Sequence, residues 1–175
     1  MSTSCAASPS TRAFRKCLAR FATGITVVTT RAAGGWPVGV TVNSVCSVSL
    51  SPPLVLFALD RRALSLAAFQ TTPAFAINVL GEEQEEISRR FAKGRADKWT
   101  GTKHVIGRLE CPLLDGAIAS LECARHAQYD GGDHVLFVGR VIHAAWEDDA
   151  RPLLFFRSRY HRLADGPSWR DVEVP

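Results

Sequence analysis

Two stretches of this chain hold side chains whose types and spacing can do chemistry. In TVNSVCSVS, residues 41–49, small hydroxyls and an amide recur inside what otherwise reads as strand. Strand alternation puts Thr41 and Asn43 on one face, and Ser47 and Ser49, either side of Val48, on a face of their own if the strand continues. Such a row, backed by backbone N–H groups where the strand ends irregularly, can hydrogen-bond the polyol and phosphate of a nucleotide-like ligand. The same row equally describes the solvent-facing side of a strand, and periodicity does not choose between them. The second stretch is DGGDH, residues 130–134. His134 carries the one side chain that ordinarily titrates near neutral pH, and its plain role is to bond backbone beside the turn. Asp133 can orient the imidazole or simply start the strand after the turn.

Other chemistries leave no trace. The chain has no G-x-G-x-x-G after a strand, no G-x-x-x-x-G-K-[ST], no G-x-S-x-G and no H-E-x-x-H, so neither a Rossmann site, a P-loop, a nucleophile elbow nor a zincin helix is announced. Five cysteines, at 5, 17, 46, 111 and 123, form an odd set without a C-x-x-C pair. That set suits neither a disulfide framework nor a zinc site, and no metal is expected. Reduced thiols in a cytoplasmic protein are the simpler reading. Cys46, in the middle of the polar row, has no expected role beyond packing.

The elements that must position these residues are mostly strands. Ser10 or Thr11 can cap a first helix with Phe14, Cys17, Leu18 and Phe21 on one face, predicted to pack on something apolar. Residues 24–30, GITVVTT, are β-branched almost throughout and read as a strand, with 36–44 as the hairpin partner across Ala33-Gly34-Gly35. Pro52-Pro53 should break the sheet before a fully buried strand at 54–59. A short helix at 63–70 and a strand at 74–80 follow. The spacing predicts a surface helix over 82–92, with Glu85–Arg89 and Glu86–Arg90 as i, i+4 pairs and Ile87 and Phe91 on the buried face. The last third reads as strands at 117–128, 134–145 and 153–156 around a turn at 129–133. Strands dominate without regular strand–helix alternation, so the expected fold is mainly β with short helices, an antiparallel barrel.

The 175 residues suffice for one core. We expect a single domain over 13–165, between tails at 1–12 and 166–175. With 46% hydrophobic and 22% charged residues the composition is that of a globular protein, and no apolar run approaches the roughly 20 residues of a membrane span. The N-terminus lacks a basic start followed by an apolar stretch, so no secretory signal is expected. A net charge of +4 invites a nucleic-acid partner. Its basic residues, however, are scattered and not interleaved with aromatics, so neither nucleic acid nor membrane is expected, and the bias suits a small anionic ligand.

Taken together, FATGITVVTT, GVTVNSVCSVSLSPPLVLFAL, FAINVL, ISRRFA and DGGDHVLFVGRV resemble the flavin reductases that serve as small components of two-component flavin-dependent monooxygenases. The resemblance runs from about residue 14 to 163, with the motifs in the family's order and spacing. It implies an FMN-binding split β-barrel of Greek-key antiparallel type, a homodimer, and hydride transfer from NADH or NADPH to FMN or FAD. Reduced flavin would then diffuse to a partner monooxygenase.

Residue by residue, the resemblance places Thr41, Asn43 and Ser44 at the flavin ring edge and ribityl chain, and Ser47, Val48 and Ser49 beside the phosphate. Ala76 and Asn78 in FAINVL, with Ser88, Arg89 and Phe91, match further flavin-contacting segments, and Lys98 and Trp99 match a loop near the phosphate. For Arg89 this role stands beside that of ion-pair partner to Glu85, and the two are compatible. His134 is placed by the nicotinamide as the catalytic residue, and Tyr160 near the same pocket. The sequence departs from the family where Val45 replaces a common aromatic, Ser51 an aspartate and Ser158 a glycine. A related acceptor, such as ferric iron, a corrinoid or a quinone, stays open, as do a non-catalytic electron-transfer protein and a barrel without cofactor.

Overall fold

The computed structural model describes residues 9–94 and 97–164. Of the expected tails, residues 1–8 and 166–175 lie outside the described part, as does the last residue of the expected domain, while residues 11 and 12 already belong to the first helix. In chain order the elements are α1 (Thr11–Leu18), β1 (Thr23–Gly24), β2 (Thr26–Arg31), β3 (Pro37–Val42), β4 (Cys46–Leu50) and β5 (Pro53–Asp60). They continue with α2 (Leu66–Thr71), β6 (Ala74–Val79), α3 (Glu85–Ala92), β7 (His104–Ile106), β8 (Pro112–Leu114) and β9 (Ala119–Gly131), and end with β10 (His134–Trp146), β11 (Leu154–Phe156) and β12 (Arg159–His161).

Seven strands form one antiparallel sheet in the order β3-β2-β6-β9-β10-β5-β4. The sheet curls around a core in which Phe57 stacks on Phe137 at 5.1 Å and meets Phe69 and Phe75 edge-on. Each of these fully buried rings stabilises the fold by about 1.5–3 kcal/mol. The ladder does not close on itself: β3 and β4 are its two edges. Just before β4 begins, the Ser44 hydroxyl takes the Ala58 N–H and donates to the Ala58 carbonyl, both at 3.0 Å, and so extends the pairing of β5. The observed architecture is mainly β with short helices, a curled sheet whose ladder stays open between β3 and β4.

Around β2 the chain is buried on both faces. Val28 faces the aromatic core, while Val27 joins Ile25, Leu80, Phe91, Leu114 and Leu153 in a second cluster under α3. Gly39 permits this second layer. A Cβ there would stand 2.5 Å from the Phe91 ring, so only glycine lets α3 lie this close to β3. Gly132, at φ +77°, occupies the first central position of the two-residue turn between β9 and β10, where a mirror-image hairpin turn needs positive φ.

Several sequence expectations need correction. Pro52-Pro53 does not end the sheet: the chain reverses at Ser51-Pro52 and β5 pairs back on β4, with Pro53 opposite Leu50. Residues 53–60 alternate between buried and half-buried positions instead of being enclosed, because only one face looks into the core. The apolar face of α1 has no cover among the described residues, with Phe14, Leu18 and Phe21 at least half exposed. Glu86–Arg90 does not form, since Arg90 donates to the Thr100 carbonyl and the Thr102 hydroxyl. The short strands β7, β8 and β12 had no clear alternation to announce them.

Candidate active site

β3 and α3 together assemble the first group of predicted residues. Gly39 and Thr41 share the face of β3 that α3 covers, so Phe91 meets Gly39 and, one turn earlier, Ser88 meets Thr41. The Thr41 hydroxyl donates to the Ser88 carbonyl at 2.7 Å. The Ser88 hydroxyl is buried and lies 2.9 Å from the Tyr160 hydroxyl, and the Arg89 guanidinium sits 4.8 Å above the centre of the Tyr160 ring. Arg89 also grips one oxygen of Glu85 through Nε and Nη2, at 2.7 and 2.6 Å. Its Nη1 has no partner among the described residues, which leaves a cationic donor available to a phosphate.

A small sheet extends this group. β1, β11 and β12 run side by side, with Thr23 opposite Phe155 and Phe155 opposite Tyr160. Thr23 accepts a hydrogen bond from the Asn43 amide at 3.3 Å. Phe21, Thr23, Thr26, Asn43 and Val45 enclose a cleft of about 350 Å³. Beyond it, β4 is an edge strand with a bulge at Val48, between Ser47 opposite Val55 and Ser49 opposite Leu54. A bulge releases backbone groups from the ladder. Ser47 and Val48 are exposed and Ser49 half-exposed, so this edge presents hydroxyls and N–H groups outward. Cys46 is exposed on the same edge, its thiol turned to the Ser47 carbonyl, rather than packed.

The second group surrounds His134. Its Nδ1 lies 2.7 Å from the Asp133 carboxylate, and its side chain is 39% exposed, leaving Nε2 to face outward. On β5 its partner in register is Asp60, whose carboxyl is held well below the usual carboxylate range by the hydrogen-bonded Arg62 guanidinium. Asp60, Arg62, Val40, Phe91 and Lys98 line a cleft of about 400 Å³. Lys98 donates to the carbonyls of Gly39 and Phe91, at 3.1 and 2.9 Å, and burial pulls its ammonium below the ordinary lysine range. Trp99 stands edge-on to Phe91 at 5.0 Å. Both Lys98 and Trp99 thus pin the following loop onto α3.

Five predicted flavin-contacting residues have their side chains enclosed or bonded within the protein: Ala76, Asn78, Ser88 and Phe91 are fully buried, and Ser44 is bonded to Ala58. Asn78 is fully buried: its amide donates to the Val27 carbonyl and the Thr29 hydroxyl, at 3.0 and 3.2 Å, and its carbonyl oxygen accepts the Leu114 N–H at 2.8 Å. It joins β6, β2 and β8 and reaches no cleft. Ala76, buried on the same strand, is equally remote from the surface. Ser44 uses its hydroxyl to extend the pairing of β5. Thr23 and Glu85 belong to the site although the polar row did not reveal them. Glu85 had a signal, the i, i+4 spacing to Arg89; Thr23 had none. Cys111 and Cys123, outside both groups, are buried free thiols pushed up to about 11 and about 12 by desolvation.

An exposed, bulged edge on β4, an arginine on α3 and a histidine beside the β9–β10 turn are the candidate site residues that this fold presents. The profile of the flavin reductase like domain matches residues 18–164, and the chain belongs to this family. It is 38% identical to the reductase subunit HsaB of a flavin-dependent monooxygenase from Rhodococcus jostii, across 91% of this chain and 84% of that one. It is 41% identical to an NADH-dependent FAD reductase from Streptomyces globisporus, across 86% and 84% of the two. The solved NADH:FAD oxidoreductase SgcE6 of Streptomyces globisporus C-1027, in complex with NAD and FAD fragments, superposes with a TM-score of 0.85 at 39% identity, covering 95% of this chain and 98% of that one.

Proposed function

We propose that this chain is a flavin reductase that moves a hydride from NADH to FMN or FAD and releases reduced flavin to a separate monooxygenase. The observation that carries this reading is the Arg89 guanidinium held on α3 between Glu85 and the Tyr160 ring, together with the outward hydroxyls and the bulge of the β4 edge. That donor set fits a flavin: Ser47, Ser49 and the backbone at Val48 suit the phosphate end, Arg89 adds the countercharge, and Asn43 with Thr23 suits the ring edge or ribityl chain. The names of the relatives agree with it.

Bound flavin would supply the hydride-accepting ring, so the protein needs no nucleophile or acid–base pair of its own. Its residues align two ligands and exclude water. Asp133 fixes the His134 ring through Nδ1, leaving Nε2 to hydrogen-bond the donor's carboxamide. Thr41 and Lys98 hold α3 and the loop after it to β3, which keeps Ser88 and Arg89 in place. Asn78 and Ser44 act through the scaffold. NADPH is the second donor to be compared.

We assign the functional unit to residues 13–165 and expect it to work as a homodimer in the cytoplasm. The apolar face of α1, exposed like Leu50 and Trp146 elsewhere on the surface, supports pairing. Among the described residues no helix is long and apolar enough to cross a membrane.

Steady-state oxidation of NADH and NADPH, each with excess FMN or FAD, tests the reading together with flavin titration by fluorescence quenching. We expect turnover that scales with added flavin. Absence of both flavin binding and accelerated NADH oxidation refutes it. Light scattering at working concentration reads the oligomer directly.

A further inference from the structure

The sequence placed Tyr160 on the nicotinamide side. From its contacts we infer that Tyr160 is instead a positioning residue for the flavin phosphate, one that is anchored on the buried Ser88 hydroxyl and holds Arg89 ready before the ligand arrives. The inference rests on the reading that Arg89 faces that phosphate.

Tyr160 touches both residues through different chemistry. Its hydroxyl meets the buried Ser88 hydroxyl at 2.9 Å, and its ring face lies under the Arg89 guanidinium at 4.8 Å. Glu85 holds the same guanidinium from the side. A free arginine side chain loses several rotatable bonds on gripping a phosphate, and that ordering cost opposes binding. Here the ring and the carboxylate already hold the side chain, and Nη1 has no partner among the described residues. Tyr160 is itself fixed: it sits on β12 opposite Phe155, whose ring it meets edge-on at 5.6 Å. The hairpin β11–β12 thus acts as a brace behind α3. It also explains why the C-terminal segment RSRYH belongs to the site at all. Arg157 and Ser158 form the positive-φ turn that returns the chain to bring Tyr160 back across Phe155.

Riboflavin, which lacks the phosphate, separates this role from a general loss of structure. Dissociation constants for FMN and riboflavin are measured by fluorescence quenching for the wild type, Tyr160→Phe, Tyr160→Leu and Arg89→Ala. Tyr160→Phe keeps the ring under Arg89 and loses only the bond to Ser88, so FMN should weaken roughly threefold. Tyr160→Leu removes both contacts, and FMN should weaken roughly tenfold while riboflavin stays within about twofold. The KM for NADH should not move in either variant. Equal weakening of FMN and riboflavin in both Tyr160 variants overturns the inference in favour of a purely structural tyrosine, and a raised KM for NADH with unchanged flavin selectivity returns Tyr160 to the donor side. Arg89→Ala tests the underlying reading separately: if it leaves the FMN to riboflavin preference intact, Arg89 does not face the phosphate and the role of Tyr160 falls with it.

Discussion

The hydroxyl of Ser44 stands where a strand partner of Ala58 would stand, 3.0 Å from both its N–H and its carbonyl. β4 begins only at Cys46, opposite Leu56, so this side chain extends the pairing of β5 beyond the ladder. A residue whose motif suggests a ligand contact thereby belongs to the scaffold. Ser44→Ala should lower unfolding free energy by about 1–3 kcal/mol, the cost of leaving half-buried backbone groups without partners. Urea denaturation checks it, and a change under about 0.5 kcal/mol would mean that water replaces the hydroxyl freely.

Asn78 sets up a larger effect of the same kind. Asn78→Ala removes the side-chain partner of the Leu114 N–H and of the Val27 carbonyl in the interior. We expect a loss of about 2–4 kcal/mol in stability. Flavin affinity of the fraction that remains folded should stay near the wild-type value. A selective loss of flavin affinity with stability intact would contradict the placement of this residue.

At the opposite rim, His134→Ala should lower kcat/KM for NADH by roughly tenfold or more, the order of one aligned hydrogen bond in the reacting complex. Flavin dissociation constants should change little. Comparable loss of flavin affinity would move His134 to the other side of the cleft.

Acid stability follows from Asp60 and Asp130. Both carboxyls are held below their ordinary values, Asp60 mainly by Arg62, and Asp130 by the Gly132 N–H and by Arg61. A carboxyl lowered on folding binds fewer protons in the native than in the unfolded chain, so stability rises with pH across the interval between the two values. The contribution is complete above the unfolded carboxylate range near 4 and is lost as pH falls through the lowered native values. Asp60→Asn should therefore flatten the acid limb of a Tm against pH curve below about pH 4 and leave its shape near neutrality unchanged. An acid limb as steep as that of the wild type would show that other carboxylates dominate it.

Much of this protein was legible without coordinates. β2, β6 and α3 follow from local rules: β-branched runs favour extended chain, and the spacing of Glu85, Arg89, Ile87 and Phe91 draws a helix with one apolar side. The same rules overreached where pairing is long-range. Pro52-Pro53 looked like a stop and is a turn between paired strands, because what continues the sheet is the register of β4 on β5. The face of α1 was read correctly as apolar, yet nothing among the described residues covers it.

By itself, then, the sequence determined the strand and helix segments, the polar row from Thr41 to Ser49 and membership in a family whose motifs span nearly the whole chain. Only the tertiary structure decided how each polar group is used. Alternation tells which face a side chain occupies, but not which neighbour lies across that face. Across from Asn78 stand β2 and β8, so its amide is consumed by the scaffold; across from Ser44 stands Ala58. Tyr160, seventy-two residues from Ser88 in the chain, meets it because β12 folds back on β11 opposite Phe155, a contact that no local pattern encodes.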